Sequence, residues 1–223
     1  MPAPAPFPYP PASARAGLAH LASSDPVLGG IEAAAGVLPW RRRPRGFVGL
    51  LQAITAQQIS AQAAAAIWRR LSALPGALEP ESLLLLDEDT LRAAGFSRPK
   101  VAHARTLAAH FADGRLSATA LDAMDDDAAM AALTAVPGLG PWTASVYLLF
   151  AHERADVFPA GDVALAGAYR LLRALPARPS PGALAAAAEP WRPYRGLAAR
   201  LLWHHWRHAT GRPAQDELPA TLG

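Results

Sequence analysis

Apolar residues along this chain recur at the three- and four-residue intervals of an α-helix. From Phe47 the pattern runs Phe47, Leu50, Leu51 and Ile54, then Ile59, Ala63, Ile67 and Leu71. That spacing lays one buried stripe along each of two helices, with the Gln57-Gln58 pair near the break between them. Further helices are predicted over about 82–94, stopped by Gly95, from near Arg98 to before Gly114, and over about 125–135. Others follow from Trp142 to about Ala151, then over about 163–174, 181–188 and 193–208. Asp25 before Pro26 reads as a helix N-cap with proline in the first turn, and the Asp125-Asp126-Asp127 run as N-terminal charge complementing a helix dipole. β-Branched runs and hairpin dipeptides are nearly missing while alanine and leucine dominate, so the expected fold class is all-α.

With 223 residues, 52% of them hydrophobic, the chain can build one substantial core or two small helical subdomains. Cysteine is absent, which excludes disulfides, cysteine-ligated zinc, iron-sulfur clusters and thiol nucleophiles. The net charge is only +3, but Lys100 is the sole lysine, so the basic side is almost entirely arginine. Arginine's planar fork suits phosphate. The clusters Arg41, Arg42, Arg43 and Arg45, and Arg192, Arg195 and Arg200, therefore fit either a polyanionic partner or a plainly solvated surface. Met1 to Pro11 is proline-rich and lacks the basic start and apolar run of a signal peptide, and no apolar stretch is long enough to span a bilayer. The expectation is a disordered arm over 1–11 ahead of a cytoplasmic core over 12–223, with no membrane partner.

Between two helical patterns stands Val136-Pro137-Gly138-Leu139-Gly140-Pro141. Two glycines one residue apart let the backbone turn sharply and come close to another surface, since neither has a Cβ. The helix that follows begins with amides that have no carbonyl partner within it, a ready site for a phosphate oxygen. An ordinary helix-helix connection with a glycine cap reads the same way. Downstream, Asp156-Val157-Phe158-Pro159-Ala160-Gly161-Asp162 places Asp162 at the start of a helix, where an aspartate can be an N-cap, a catalyst or both.

Taken with Gln57-Gln58-Ile59-Ser60, Gly95-Phe96-Ser97-Arg98-Pro99-Lys100 and Trp191-Arg192-Pro193-Tyr194-Arg195, this order of motifs resembles the helix-hairpin-helix DNA glycosylases, and within them the 3-methyladenine DNA glycosylase II type. The resemblance covers roughly 47–206. It implies a two-lobed helical bundle with a helix-hairpin-helix motif and DNA crossing a cleft between lobes. One lobe would span about 45–135 and the other the N-terminal segment with about 136–215. The 46 residues before Phe47 are too few for the β-rich domain that larger relatives carry there. In lyase-type members a lysine opens the second hairpin helix, where this chain has Trp142. With no such lysine and no cysteines for a cluster, the resemblance implies a monofunctional hydrolase for alkylated bases such as 3-methyladenine or 7-methylguanine, the first step of base excision repair. The alternatives are a bifunctional oxidised-purine glycosylase/lyase and a non-catalytic hairpin DNA-binding protein.

By the same resemblance, Asp162 is the catalytic carboxylate, stabilising a sugar that gains oxocarbenium character as the glycosidic bond stretches. Trp142 and Trp203 would wall the pocket that takes the flipped base, attracting a cationic purine by stacking; either also reads as plain core. Gln58 would be the wedge that fills the DNA stack, although many relatives carry an apolar residue there. Pro137, Gly138, Leu139 and Gly140 form the DNA-binding hairpin, and Arg195 a phosphate contact. No cofactor is required. A structural Na+ or K+ would be held by the backbone carbonyls of Thr134, Val136 and Gly138. The expected partner is double-stranded DNA containing a damaged base, met by a monomer at the nucleoid. Asp156 reads as a structural loop residue, and His204 with His208, at i and i+4, as a pair lacking a third metal ligand.

Overall fold

The computed structural model describes residues 10–212. Nine of the eleven residues assigned to a proline-rich arm lie outside these, and residues 10 and 11 lead directly into a helix. Among the described residues every regular element is helical, as the apolar periodicity predicts. The chain opens with α1 (Ala12–Ser24), α2 (Pro26–Gly29) and α3 (Ile31–Ala35). Next come α4 (Gly46–Ala56), α5 (Ala61–Ser72), α6 (Pro80–Leu85), α7 (Glu88–Ala93), α8 (Arg98–Ala112), α9 (Ala118–Ala123), α10 (Asp126–Thr134) and α11 (Pro141–Ala151). The last are α12 (Val163–Leu172), α13 (Pro181–Ala188), a short 3-10 turn at Glu189–Trp191, and α14 (Arg195–Thr210).

Two compact units result, one from the residues before 43 together with those after 152, the other from 43–152. The boundary expected near 135 therefore falls at 152. The cause lies in α11, which packs on both α4 and α10 and is buried at every position from Thr143 to Ala151, so the hairpin and its second helix stay in the central unit. The predicted helix over 82–94 is two helices. Leu86 turns extended, and Asp87 caps a fresh start by accepting the Thr90 amide at 2.6 Å. Helices α1 and α9 were not predicted from the pattern. The first has Pro11 at its N-cap position and no side-chain capping bond, while the second is six residues long behind Ser117, which accepts the Ala120 amide.

In the central unit α4 lies between α5, α8 and α11. Its Leu50, Leu51 and Ile54 are fully buried, each contributing roughly 1.5–3 kcal/mol of apolar transfer. In the other unit α14 packs on α12, α1, α2 and α3, with Leu201, Leu202 and Trp203 buried against them. Asp25 caps α2 by accepting the Leu28 amide at 3.1 Å, and it also accepts the Trp191 indole N–H at 2.9 Å and pairs with Arg173. No helix among the described residues is long and apolar enough to cross a membrane.

Candidate functional site

The hairpin joins α10 to α11. The Leu139 amide donates to the Val136 carbonyl at 3.0 Å, closing a four-residue turn with Pro137 second and Gly138 third. Gly138 has φ +96, which is the type II pattern: proline pre-sets the second position, and only glycine takes a positive φ at the third without strain. Val136 and Leu139 are buried and anchor the turn, while Pro137 and Gly140 are exposed. Gly140 caps α11 in an extended conformation (φ −77, ψ 166), and Pro141 fills the first helical position, where a missing N–H costs nothing. Trp142 follows, half-buried.

Across the same unit, α4 ends at a turn that the hairpin touches. Gln57 Nε2 donates to the Gly138 carbonyl at 2.9 Å and reaches Thr143 Oγ1 at 3.4 Å. Gln58, the expected wedge, is exposed and sits at φ +59, a left-handed conformation that a residue with a Cβ adopts only under constraint. Lys100 Nζ donates to the Thr55 carbonyl at 2.6 Å, placing positive charge at the C-terminal end of α4, and burial holds its ammonium below the usual lysine range. The sequence located Gln57 next to the wedge without a role. Its partner lies 81 residues away, beyond any local signal.

The start of α4 is fixed by a relay through the buried side chains of Tyr147 and His152 to the exposed Asp122. The Gly46 amide donates to Tyr147 Oη at 2.8 Å, His152 Nε2 lies 3.2 Å from the same oxygen, and His152 Nδ1 lies 2.8 Å from Asp122 Oδ1. Since a carboxylate only accepts, these partners assign the proton to Nδ1 and let Tyr147 donate to Nε2. Arg45 closes the relay with two bonds to Asp122, at 3.0 and 3.2 Å. Burial pushes the Tyr147 hydroxyl up to about 12, against smaller opposing pulls from the Gly46 amide and Arg45.

In the other unit Asp162 is 3% exposed. Its Oδ1 accepts the Leu165 amide at 2.8 Å, capping α12, and the Trp203 indole N–H at 3.2 Å. The structure thus brings two of the predicted residues together. Trp203 has no exposed surface, so of its two readings the core position is the one observed, with its N–H spent on the carboxylate. A pair of donors on one oxygen restricts the carboxylate's direction.

Arg195 is placed differently from a free phosphate clamp. Its Nε and one terminal nitrogen bond Asp156 at 3.1 and 3.0 Å, and the other terminal nitrogen bonds Glu189 at 2.7 Å. Arg192 bonds the same two carboxylates, at 2.7 and 2.8 Å, so Asp156 is the structural loop residue that was expected. His204 Nε2 lies 2.8 Å from the Gly36 carbonyl, and among the described residues no three acidic, histidine or cysteine side chains gather to hold a metal. Two of the three carbonyls expected around an alkali cation already accept a bond, Val136 from Leu139 and Gly138 from Gln57. Each carbonyl keeps a second lone pair, so the donor set still fits a hard monovalent cation.

Comparison with known proteins agrees with this geometry. The model of the HhH-GPD superfamily of base excision DNA repair proteins matches residues 51–193, which include the Gln57-Gln58 turn, the Pro137–Gly140 turn and Asp162. The chain is 30% identical over 158 residues to DNA-3-methyladenine glycosylase 1 of Schizosaccharomyces pombe, covering 69% of each. Among solved structures, it superposes on the S. pombe 3-methyladenine DNA glycosylase in complex with abasic DNA with a TM-score of 0.75 at 26% identity, covering 86% of this chain and 95% of that one. The match to a Bacillus halodurans DNA-3-methyladenine glycosidase has a TM-score of 0.79 at 30% identity, covering 87% and 90%.

Proposed function

This chain belongs to the HhH-GPD superfamily of base excision DNA repair proteins, and within it we propose a monofunctional DNA glycosylase that removes alkylated purines of the 3-methyladenine and 7-methylguanine type. The observation that carries the reading is the Asp162 carboxylate, fixed between the Leu165 amide and the Trp203 indole. An extruded nucleotide presents its C1′ to this group. As the bond from C1′ to the base nitrogen breaks, the sugar becomes oxocarbenium-like and the electron pair leaves with the base. A pre-oriented anion in a water-poor setting stabilises that charge and directs water to C1′, the proton passing to solvent. A base already cationic needs little acid help to leave.

The second hairpin helix starts with Trp142 where a lyase would place lysine, and the sole lysine is engaged with the Thr55 carbonyl, so no lysine is ready to form a Schiff base. Half-buried Trp142 is the stacking face for the cationic base, and Trp203 acts through the aspartate it holds. Gln58 fills the stack. The hairpin of Pro137, Gly138, Leu139 and Gly140 grips the DNA backbone, with the Thr134, Val136 and Gly138 carbonyls holding Na+ or K+, which would add positive charge toward a phosphate. The phosphate role read for Arg195 competes with two carboxylates already on its guanidinium, so the hairpin amides come first. One chain carries wedge, hairpin and carboxylate, so it works as a monomer on nucleoid DNA.

The test is release of base from methylated DNA, identified by mass spectrometry. Wild type releases methylated purines and forms no borohydride-trapped adduct. Asp162→Asn binds duplex and releases none. Equal release by both proteins removes Asp162 from the reaction, and a trapped adduct removes the monofunctional assignment.

A further inference from the structure

The wedge turn and the hairpin come from segments about eighty residues apart, yet one side chain joins them. Gln57 is half-buried, and its amide nitrogen bonds the carbonyl of Gly138, the residue at the bend of the hairpin, and lies near Thr143 Oγ1 in the first turn of α11. Its neighbour Gln58 is exposed and held at a positive φ that costs roughly 1–3 kcal/mol when a residue has a Cβ. Such a conformation persists only if its surroundings over-determine it. Lys100 secures the α4 side of this turn at the Thr55 carbonyl, and Ser60 secures the α5 side by accepting the Ala63 amide at 3.2 Å. Gln57 is the brace on the third side, where the turn meets the element expected to hold DNA.

We propose that Gln57 is a positioning residue that locks the Gln58 wedge turn to the helix-hairpin-helix, so that seating the hairpin on the DNA backbone sets the height at which the wedge enters the stack. This rests on reading the chain as a base-flipping glycosylase. Without the amide, the hairpin still holds phosphate, but the turn no longer follows it, and the side chain at 58 enters the stack from a range of positions. The defect would then lie in extrusion and single-turnover rate, with duplex affinity spared.

The test pairs two readouts. Hydrogen exchange on undamaged duplex follows the backbone amides of 57–60 and of Gly138, Leu139 and Gly140. In wild type, DNA slows exchange in both segments. In Gln57→Ala, protection at 138–140 persists and protection at 57–60 is lost. If the turn stays protected in the variant, or if both segments lose protection together, Gln57 does not link them and the proposal is overturned. The second readout is single-turnover release of methylated purine with 2-aminopurine fluorescence beside the lesion. Gln57→Ala falls about three- to tenfold in rate, the worth of one neutral hydrogen bond expressed in the transition state, with duplex Kd within about twofold. The double variant with Gln58→Ala is no slower than Gln58→Ala alone, because both changes act on one device; losses that multiply overturn the proposal. Gln57→Met, similar in length but lacking the N–H donor, replaces Gln57→Ala if the latter does not fold. A wild type that releases no methylated base defeats the glycosylase reading, while the exchange experiment still decides the link.

Discussion

Gly138→Ala and Gly140→Ala, two residues apart in one turn, should behave in opposite ways. A Cβ at 138 would stand 2.4 Å from His103 Cγ and 2.7 Å from its Cβ, atoms close to the backbone of α8 that cannot swing aside. The residue also sits at φ +96. The left-handed backbone costs about 1–2 kcal/mol for an L-residue, and forcing a methyl into occupied space about 1–3 kcal/mol more. At roughly 2–4 °C per kcal/mol for a chain of this size, the melting temperature of Gly138→Ala should fall by about 10 °C. Adding His103→Ala removes the ring and its 2.4 Å contact but keeps the Cβ at 2.7 Å, so it should recover only part of the steric share and none of the roughly 1–2 kcal/mol of backbone strain. At 140 the backbone is ordinary and nothing lies within 4 Å of the added carbon. The loss of a favourable cap residue and the gain from a stiffer unfolded chain are each below ~1 kcal/mol and opposite in sign, so melting should be unchanged. If DNA comes against this bend, the same methyl must weaken duplex binding, by about tenfold for a clash near 1.4 kcal/mol. Thermal melting followed by fluorescence anisotropy on a short duplex measures both. A Gly138→Ala protein that melts like wild type, or a Gly140→Ala protein that binds like wild type, would refute the placement of the hairpin against DNA or the strain assigned to it.

Three further outcomes follow from the same geometry. Asp162→Asn keeps an oxygen for the Leu165 amide and should melt within about 1 kcal/mol of wild type, whereas Asp162→Ala loses the cap at about 0.5–2 kcal/mol; both should be inactive, which thermal scans and base-release assays check separately. Tyr147 keeps its proton to about pH 12 in the folded chain against an ordinary value near 10. Its contribution is therefore complete below pH 10 and lost as pH climbs toward 12, and alkaline melts of Tyr147→Phe should lack that part of the decline while starting lower at neutral pH, since the Gly46 amide loses its acceptor. Duplex affinity should fall with salt at a slope of about 0.9 per phosphate contacted, and Arg195→Gln should lower the melting temperature yet shift that slope by less than ~1, because its guanidinium already serves Asp156 and Glu189.

What could be read ahead of the structure was what local spacing encodes. The stripe of Leu50, Leu51 and Ile54, the cap at Asp25, the acidic helix start over Asp125 to Asp127, and the proline-glycine turn each depend on neighbours within four residues, and each stands where it was expected. The division into units was misplaced because it depends on which helices α11 touches. Nothing in Trp142 to Ala151 distinguishes burial against α4 from burial elsewhere, since that helix is apolar all round. The split between α6 and α7 was missed for a related reason: Ser82 to Ala94 carries an unbroken helical composition, and Asp87 interrupts it only by capping the residues after it.

Asp162 shows why a site is harder to read than a fold. An aspartate ahead of a helix is common, and capping alone explains both its position and its bond to Leu165. Capping does not explain the indole of Trp203, which comes from 41 residues further along, on α14, and donates to the same oxygen. A cap needs only one donor, and a fully buried tryptophan could satisfy its N–H at any carbonyl nearby. Placing it on an already capped carboxylate aims that group without adding to the helix. That arrangement separates the two roles experimentally: Trp203→Phe removes the indole N–H and keeps an aromatic ring in the core, leaving the cap intact. If Asp162 were only a cap, Trp203→Phe would change stability by the lost hydrogen bond and packing and leave base release proportional to folded protein. If its direction matters to C1′, the rate per folded molecule should fall about tenfold while duplex affinity holds, as expected when an interaction is expressed in the transition state alone.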